Sequence, residues 1–143
     1  MTTWREIWTD SAEATEAVGE RLARHLRLGD LLLLRGELGA GKTTLVRGLA
    51  RGLGSAAHVS SPTFQLVKIY PGPLQLAHVD LYRLGADDGL SDLGLDDMLL
   101  EGVVVIEWGD RLPAPGAARI SLLSDGGDRR RLRLEEAPAS WSF

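Results

Sequence analysis

The segment Gly36-Glu37-Leu38-Gly39-Ala40-Gly41-Lys42-Thr43 constrains this chain more than any other eight residues. It fits the pattern G-x-x-x-x-G-K-[ST] at every specified position. Ahead of it, Leu31 to Leu34 is an uninterrupted apolar run, the pattern of a strand buried on both faces of a parallel sheet. Behind it, Leu45, Leu49 and Leu53 recur every fourth residue, which predicts a helix from Lys42 with one face on that sheet and a stop at Gly54. Strand, glycine-rich loop and helix in that order make a cradle for phosphate. Backbone N–H groups converge on the anion, and the helix N-terminus adds a favourable dipole. The expected ligand is ATP with Mg2+, with residues Gly36, Glu37, Leu38, Gly39, Ala40, Gly41, Lys42, Thr43 and Thr44 around its phosphates. Lys42 reaches the β and γ phosphates, and the Thr43 hydroxyl is offered to the metal.

The rest of the chain supplies a sheet for that loop. Ser11 and its acidic neighbours stand before apolar residues at Ala14, Val18, Leu22 and Leu26, a capped amphipathic helix expected to end near Gly29. Phe64 to Tyr70 and Leu74 to Val79 read as a hairpin about Pro71-Gly72-Pro73. Leu81 to Gly89 reads as a loop, and Ser91 is expected to open a short helix through Leu100. Val103 to Ile106 is a second buried strand, and Arg119 to Leu123 with Arg130 to Leu134 form a hairpin about Asp125-Gly126-Gly127-Asp128. With 143 residues there is room for one domain. The expected fold class is α/β: a single three-layer α/β/α P-loop NTPase domain, residues 1–143, with a mainly parallel central sheet and antiparallel hairpin elements.

Composition removes several kinds of function. The chain has no cysteine, so disulfides, thiolate metal sites and cysteine nucleophiles are excluded, and its three separated histidines argue against a zinc site. A net charge of −4 disfavours holding nucleic acid by charge alone. No apolar run approaches a membrane span or a signal peptide, so a cytoplasmic protein without membrane contact is expected. Guanine-reading GTPases use an Asn-Lys-x-Asp segment, and this sequence contains no asparagine.

Three further segments follow the phosphate loop in order: Ser61-Pro62-Thr63-Phe64, His78-Val79-Asp80-Leu81-Tyr82-Arg83-Leu84 and Glu107-Trp108. With the Gly-x-Leu-Gly-Ala-Gly-Lys-Thr-Thr form of the loop, they resemble the TsaE family from about Ser11 to Arg130. That family is the ATPase subunit of the bacterial machinery that places threonylcarbamoyladenosine in tRNA. The resemblance implies a weak ATPase that acts on a TsaD–TsaB-like complex and meets tRNA indirectly through it. Two rivals are a small-molecule P-loop kinase, and a nucleotide-gated adaptor that needs no hydrolysis.

Magnesium needs hard oxygen ligands beyond Thr43, and acids at strand ends supply them. Glu107 and Asp80 both qualify. The resemblance implies that Glu107 serves the metal and that Asp80 is a functional acid near the metal and the attacking water, and the residues themselves leave the reverse open. Thr63 lies in a loop shaped by Pro62, and in relatives this segment is likened to a nucleotide-dependent switch. Trp108 offers a flat apolar face to a nucleotide or to the core. Ser11 and Arg130 fall in segments that the resemblance associates with nucleotide. Arg47 and Arg83 are candidates for stabilising phosphoryl charge, and Arg129, Arg130, Arg131 and Arg133 form a basic cluster.

Overall fold

The structure is a computed structural model that describes residues 6–37, 40–56, 59, 67–80, 94–107, 116–138 and 141. Seven strands form one sheet: β1 (Glu6–Thr9), β2 (Leu31–Arg35), β3 (Val67–Tyr70), β4 (Gln75–Asp80), β5 (Gly102–Glu107), β6 (Ala118–Ser124) and β7 (Arg130–Glu136). Their order across the sheet is β1-β7-β6-β2-β5-β4-β3. The four central strands β6, β2, β5 and β4 are joined by parallel ladders. The ladders toward both edges are antiparallel, from the β3–β4 and β6–β7 hairpins and from β1 on β7.

Strand alternation sorts the apolar residues onto two faces. Leu32 and Leu34 of β2, Val103 and Val105 of β5, and Leu76 of β4 point to one side. They share a core there with α1 (Ala12–Ala23) and α2 (Lys42–Gly52). Leu33, Val104, Ile106, Ala77 and Val79 point to the other and pack with Met98, Leu95 and Leu99 of α3 (Leu95–Glu101). The result is the three-layer arrangement expected from the sequence. All six residues of β5 are buried, because this strand has a neighbour on either side and a core on each face. Leu45 and Leu49 are fully buried, each burial contributing about 2 kcal/mol of transfer free energy.

Helices α1 and α2 approach each other closely. A Cβ on Gly48 would collide with the Glu16 carbonyl oxygen, so only glycine allows this contact. Ion pairs flank it, Arg47 to Glu16 at 3.1 Å and Arg51 to Glu20 at 3.0 Å.

Two local expectations need correction. The first helix ends at Ala23, six residues short of Gly29. The backbone tightens into i→i−3 bonds there, from His25 to Leu22 and from Leu26 to Ala23, yet Leu26 stays in the core. The third helix starts at Leu95 behind Gly94 (φ 79°), and Asp96 and Asp97 in its first turn complement the dipole. Ser91 and the segment Leu81 to Gly89 lie outside the described residues, as do Phe64 to Leu66 of the expected first hairpin strand. Strand β1 was not expected. It has only four residues, and its pairing with β7 (Ile7 opposite Leu132, Thr9 opposite Arg130) joins segments over a hundred positions apart.

Candidate functional site

Parallel strands end together, and here β2, β5 and β4 bring the phosphate loop and both acids to one sheet edge. Leu34 stands opposite Glu107, and Asp80 opposite Glu107, in successive parallel ladders. Since Leu76 lies in the α1/α2 core, alternation puts His78 and Asp80 on that same face, as it puts Glu107 there with Val103 and Val105. Helix α2 begins over this edge with Lys42.

The loop leaves β2 at Gly36 and turns, Ala40 N–H bonding the Glu37 carbonyl at 3.0 Å. Gly41 precedes the helix at φ 99°, a left-handed conformation that costs a side-chain-bearing residue heavily. Lys42 is only 5% exposed, and its Nζ donates to the Gly36 carbonyl across the loop. Burial pulls its ammonium below the usual lysine range, while the nearby Glu107 and Asp80 charges act in the opposite direction. A buried cation with its N–H groups turned into the loop is suited to replacing that carbonyl by phosphate oxygens. Leu38 and Gly39 lie outside the described residues.

Glu107 is 4% exposed and accepts a 2.8 Å hydrogen bond from His78 Nε2, which is fully buried. Among the described residues no group of three or more acidic, histidine or cysteine side chains is arranged to hold a metal. Two carboxylates at adjacent strand ends and a threonine in the first turn of α2 nevertheless suit magnesium, which keeps waters and takes the rest of its oxygens from a substrate's phosphates.

A second cluster adjoins the loop. Ser11, Ala12, Thr15, Gly41, Thr44, Asp128 and Arg130 line a cavity of about 100 Å³. Ser11 caps α1, its Oγ accepting from the Ala14 N–H at 3.0 Å. Arg130 lays its side chain against Gly41 and donates through Nη1 to the carbonyls of Gly127 (2.7 Å) and Arg129 (2.9 Å). Four residues singled out in sequence, Ser11, Gly41, Thr44 and Arg130, thus meet at one place, although three separate segments supply them.

Other expected residues have partners elsewhere or lie outside the described residues. The basic cluster is divided by alternation: Arg130 faces the cavity, Arg129 and Arg131 stack over exposed Trp8 at 4.7 and 5.4 Å, and Arg133 pairs with Glu6 at 3.0 Å. Arg47 is engaged by Glu16. Thr63, Arg83 and Trp108 lie outside the described residues. Two residues of the site had no role assigned from sequence. His78 stands two before Asp80 on one strand, a spacing that already puts both on one face, and Asp128 stands two before Arg130.

Residues 9–132 match the family described as threonylcarbamoyl adenosine biosynthesis protein TsaE. A tRNA threonylcarbamoyladenosine biosynthesis protein TsaE from Streptomyces coelicolor is 48% identical over 84% of this chain and 78% of its own length. One from Nostoc is 39% identical over 93% of this chain and 85% of its own. The crystal structure of Bacillus subtilis YdiB superposes with a TM-score of 0.73 at 33% identity, covering 90% of this chain and 82% of that one.

Proposed function

The chain belongs to the TsaE family of tRNA threonylcarbamoyladenosine biosynthesis proteins, and from that premise we propose that it binds ATP with magnesium and hydrolyses it slowly, as a cytoplasmic subunit acting on a TsaD–TsaB-like complex. The observation that carries this reading is Lys42, buried at the mouth of the loop with two acids at its side. A buried ammonium is costly; the Glu107 and Asp80 charges offset part of that cost, and phosphate oxygens in the loop would offset more.

The residues divide the work. Loop amides and Lys42 would bind and orient the phosphates. Glu107, with one oxygen already bonded to His78, keeps the other for the metal. Magnesium, when bound, withdraws charge from the β and γ phosphates. Asp80, opposite Glu107 in the ladder, is left to orient the attacking water and accept its proton. The cavity between Ser11, Thr44, Asp128 and Arg130 lies on the helix side of the loop and receives the nucleoside. Among the described residues no helix is long and apolar enough to cross a membrane.

Calorimetry of the purified chain against Mg·ATP tests the reading. Saturable heat at one site per chain is expected, with slow phosphate release that rises when the TsaD–TsaB-like complex is added. Absence of any heat at millimolar nucleotide would overturn the assignment of the loop.

A further inference from the structure

His78 has no side-chain exposure and no part in binding phosphate, yet it occupies a core position that an apolar residue could fill. Its Nε2 lies 2.8 Å from Glu107 Oε2. A carboxylate oxygen accepts hydrogen bonds, so in this contact Nε2–H is the donor. Nδ1, on the far side of the ring, has no hydrogen-bond partner among the described residues, and the Tyr70 ring packs nearby at 6.4 Å. A buried ring nitrogen left unmatched is a cost to the fold. Among the described residues the imidazole's polar contact is the one to Glu107.

That contact matters because of Lys42. Its ammonium feels the Glu107 charge, and with both residues buried the two would be drawn together. Such a collapse would occupy the carboxylate and draw Lys42 away from the Gly36 carbonyl, closing the place where phosphate and metal enter. We propose that His78 is a positioning residue: its Nε2–H tethers Glu107 Oε2, holds the carboxylate off Lys42 and leaves the other oxygen free for magnesium. The proposal rests on the Mg·ATP reading above. It makes His78 govern metal affinity while leaving nucleotide affinity alone.

Binding of ATP is measured by calorimetry with EDTA and across a magnesium titration, for the wild type and for His78→Leu, His78→Asn and His78→Gln. Leucine, which cannot donate, is expected to weaken the apparent magnesium affinity about 10- to 100-fold, the range found when a group orienting a metal ligand is lost. The affinity for ATP in EDTA is expected to stay within about twofold of wild type. Glutamine, whose N–H reaches close to the position of Nε2, restores most of the magnesium response, whereas the shorter asparagine does not. In a Glu107→Ala background, His78→Leu adds no further loss. Wild-type magnesium dependence in both His78→Leu and His78→Asn would overturn the proposal, as would an equal additional loss in the Glu107→Ala background. If the leucine variant does not fold, the asparagine and glutamine pair decides, since both keep a polar amide and differ in reach. Failure of the wild type to bind ATP at all would instead remove the nucleotide reading on which this rests.

Discussion

Glu107 and Glu6 each hold a partner on a neighbouring strand of the same sheet, His78 at 2.8 Å and Arg133 at 3.0 Å. By distance the two contacts look alike. The first is almost wholly buried at the end of the parallel centre, with side-chain exposures of 0% and 6%. The second lies on the antiparallel edge, with exposures of 51% and 33%. Water screens the edge pair and can replace either partner, whereas the central pair has nothing to substitute for it. Two groups of cations show the same contrast. Those of β7 outside the cavity ride on exposed Trp8 or Glu6, whereas Lys42, at the centre, is buried. The two pairs therefore differ in weight because of their burial, not their length.

The sharpest way to break that comparison is at the buried end. Lys42→Ala is expected to lower ATP turnover at least about a hundredfold, as loss of a preorganised charge at the transferring group does. A phosphate-release assay showing wild-type turnover would remove the centre's special standing. Glu107→Ala should reduce the same rate by a similar factor. Gly48→Ala tests whether the support beneath the loop is as tightly fitted as its active face. Forcing a methyl against the Glu16 carbonyl should cost about 1–3 kcal/mol of stability in urea unfolding. Ser11→Ala removes the helix cap beside the cavity and is expected to cost about 1 kcal/mol. At the exposed end, a double-mutant cycle on Glu6 and Arg133 should give a coupling below about 1 kcal/mol that fades in salt. A coupling several times larger would show that the edge pair is bound as firmly as the central one.

Much of this was legible beforehand because it rests on short-range order. The run Leu31 to Leu34, the loop and the four-residue period of Leu45 and Leu49 each announce their element within a few positions, and β2 and α2 fall where expected. Glu107 was placed at a strand end for the same reason. The N-terminal strand was not legible, since four residues with Trp8 exposed and Thr9 buried carry little pattern until β7 is beside them. The helix cap at Gly94 escaped too, because a left-handed glycine leaves no side-chain signal.

The sequence by itself determined that a glycine-rich loop would join a buried strand to a helix, and that Asp80 and Glu107 would each close a strand. Chain-local periodicity and backbone sterics suffice for both. Only the tertiary structure decided that His78 would face Glu107, that the basic cluster would be split between cavity and solvent, and that Ser11 would meet Arg130. Those outcomes depend on strand order and register, which are fixed when distant segments bury their apolar faces together.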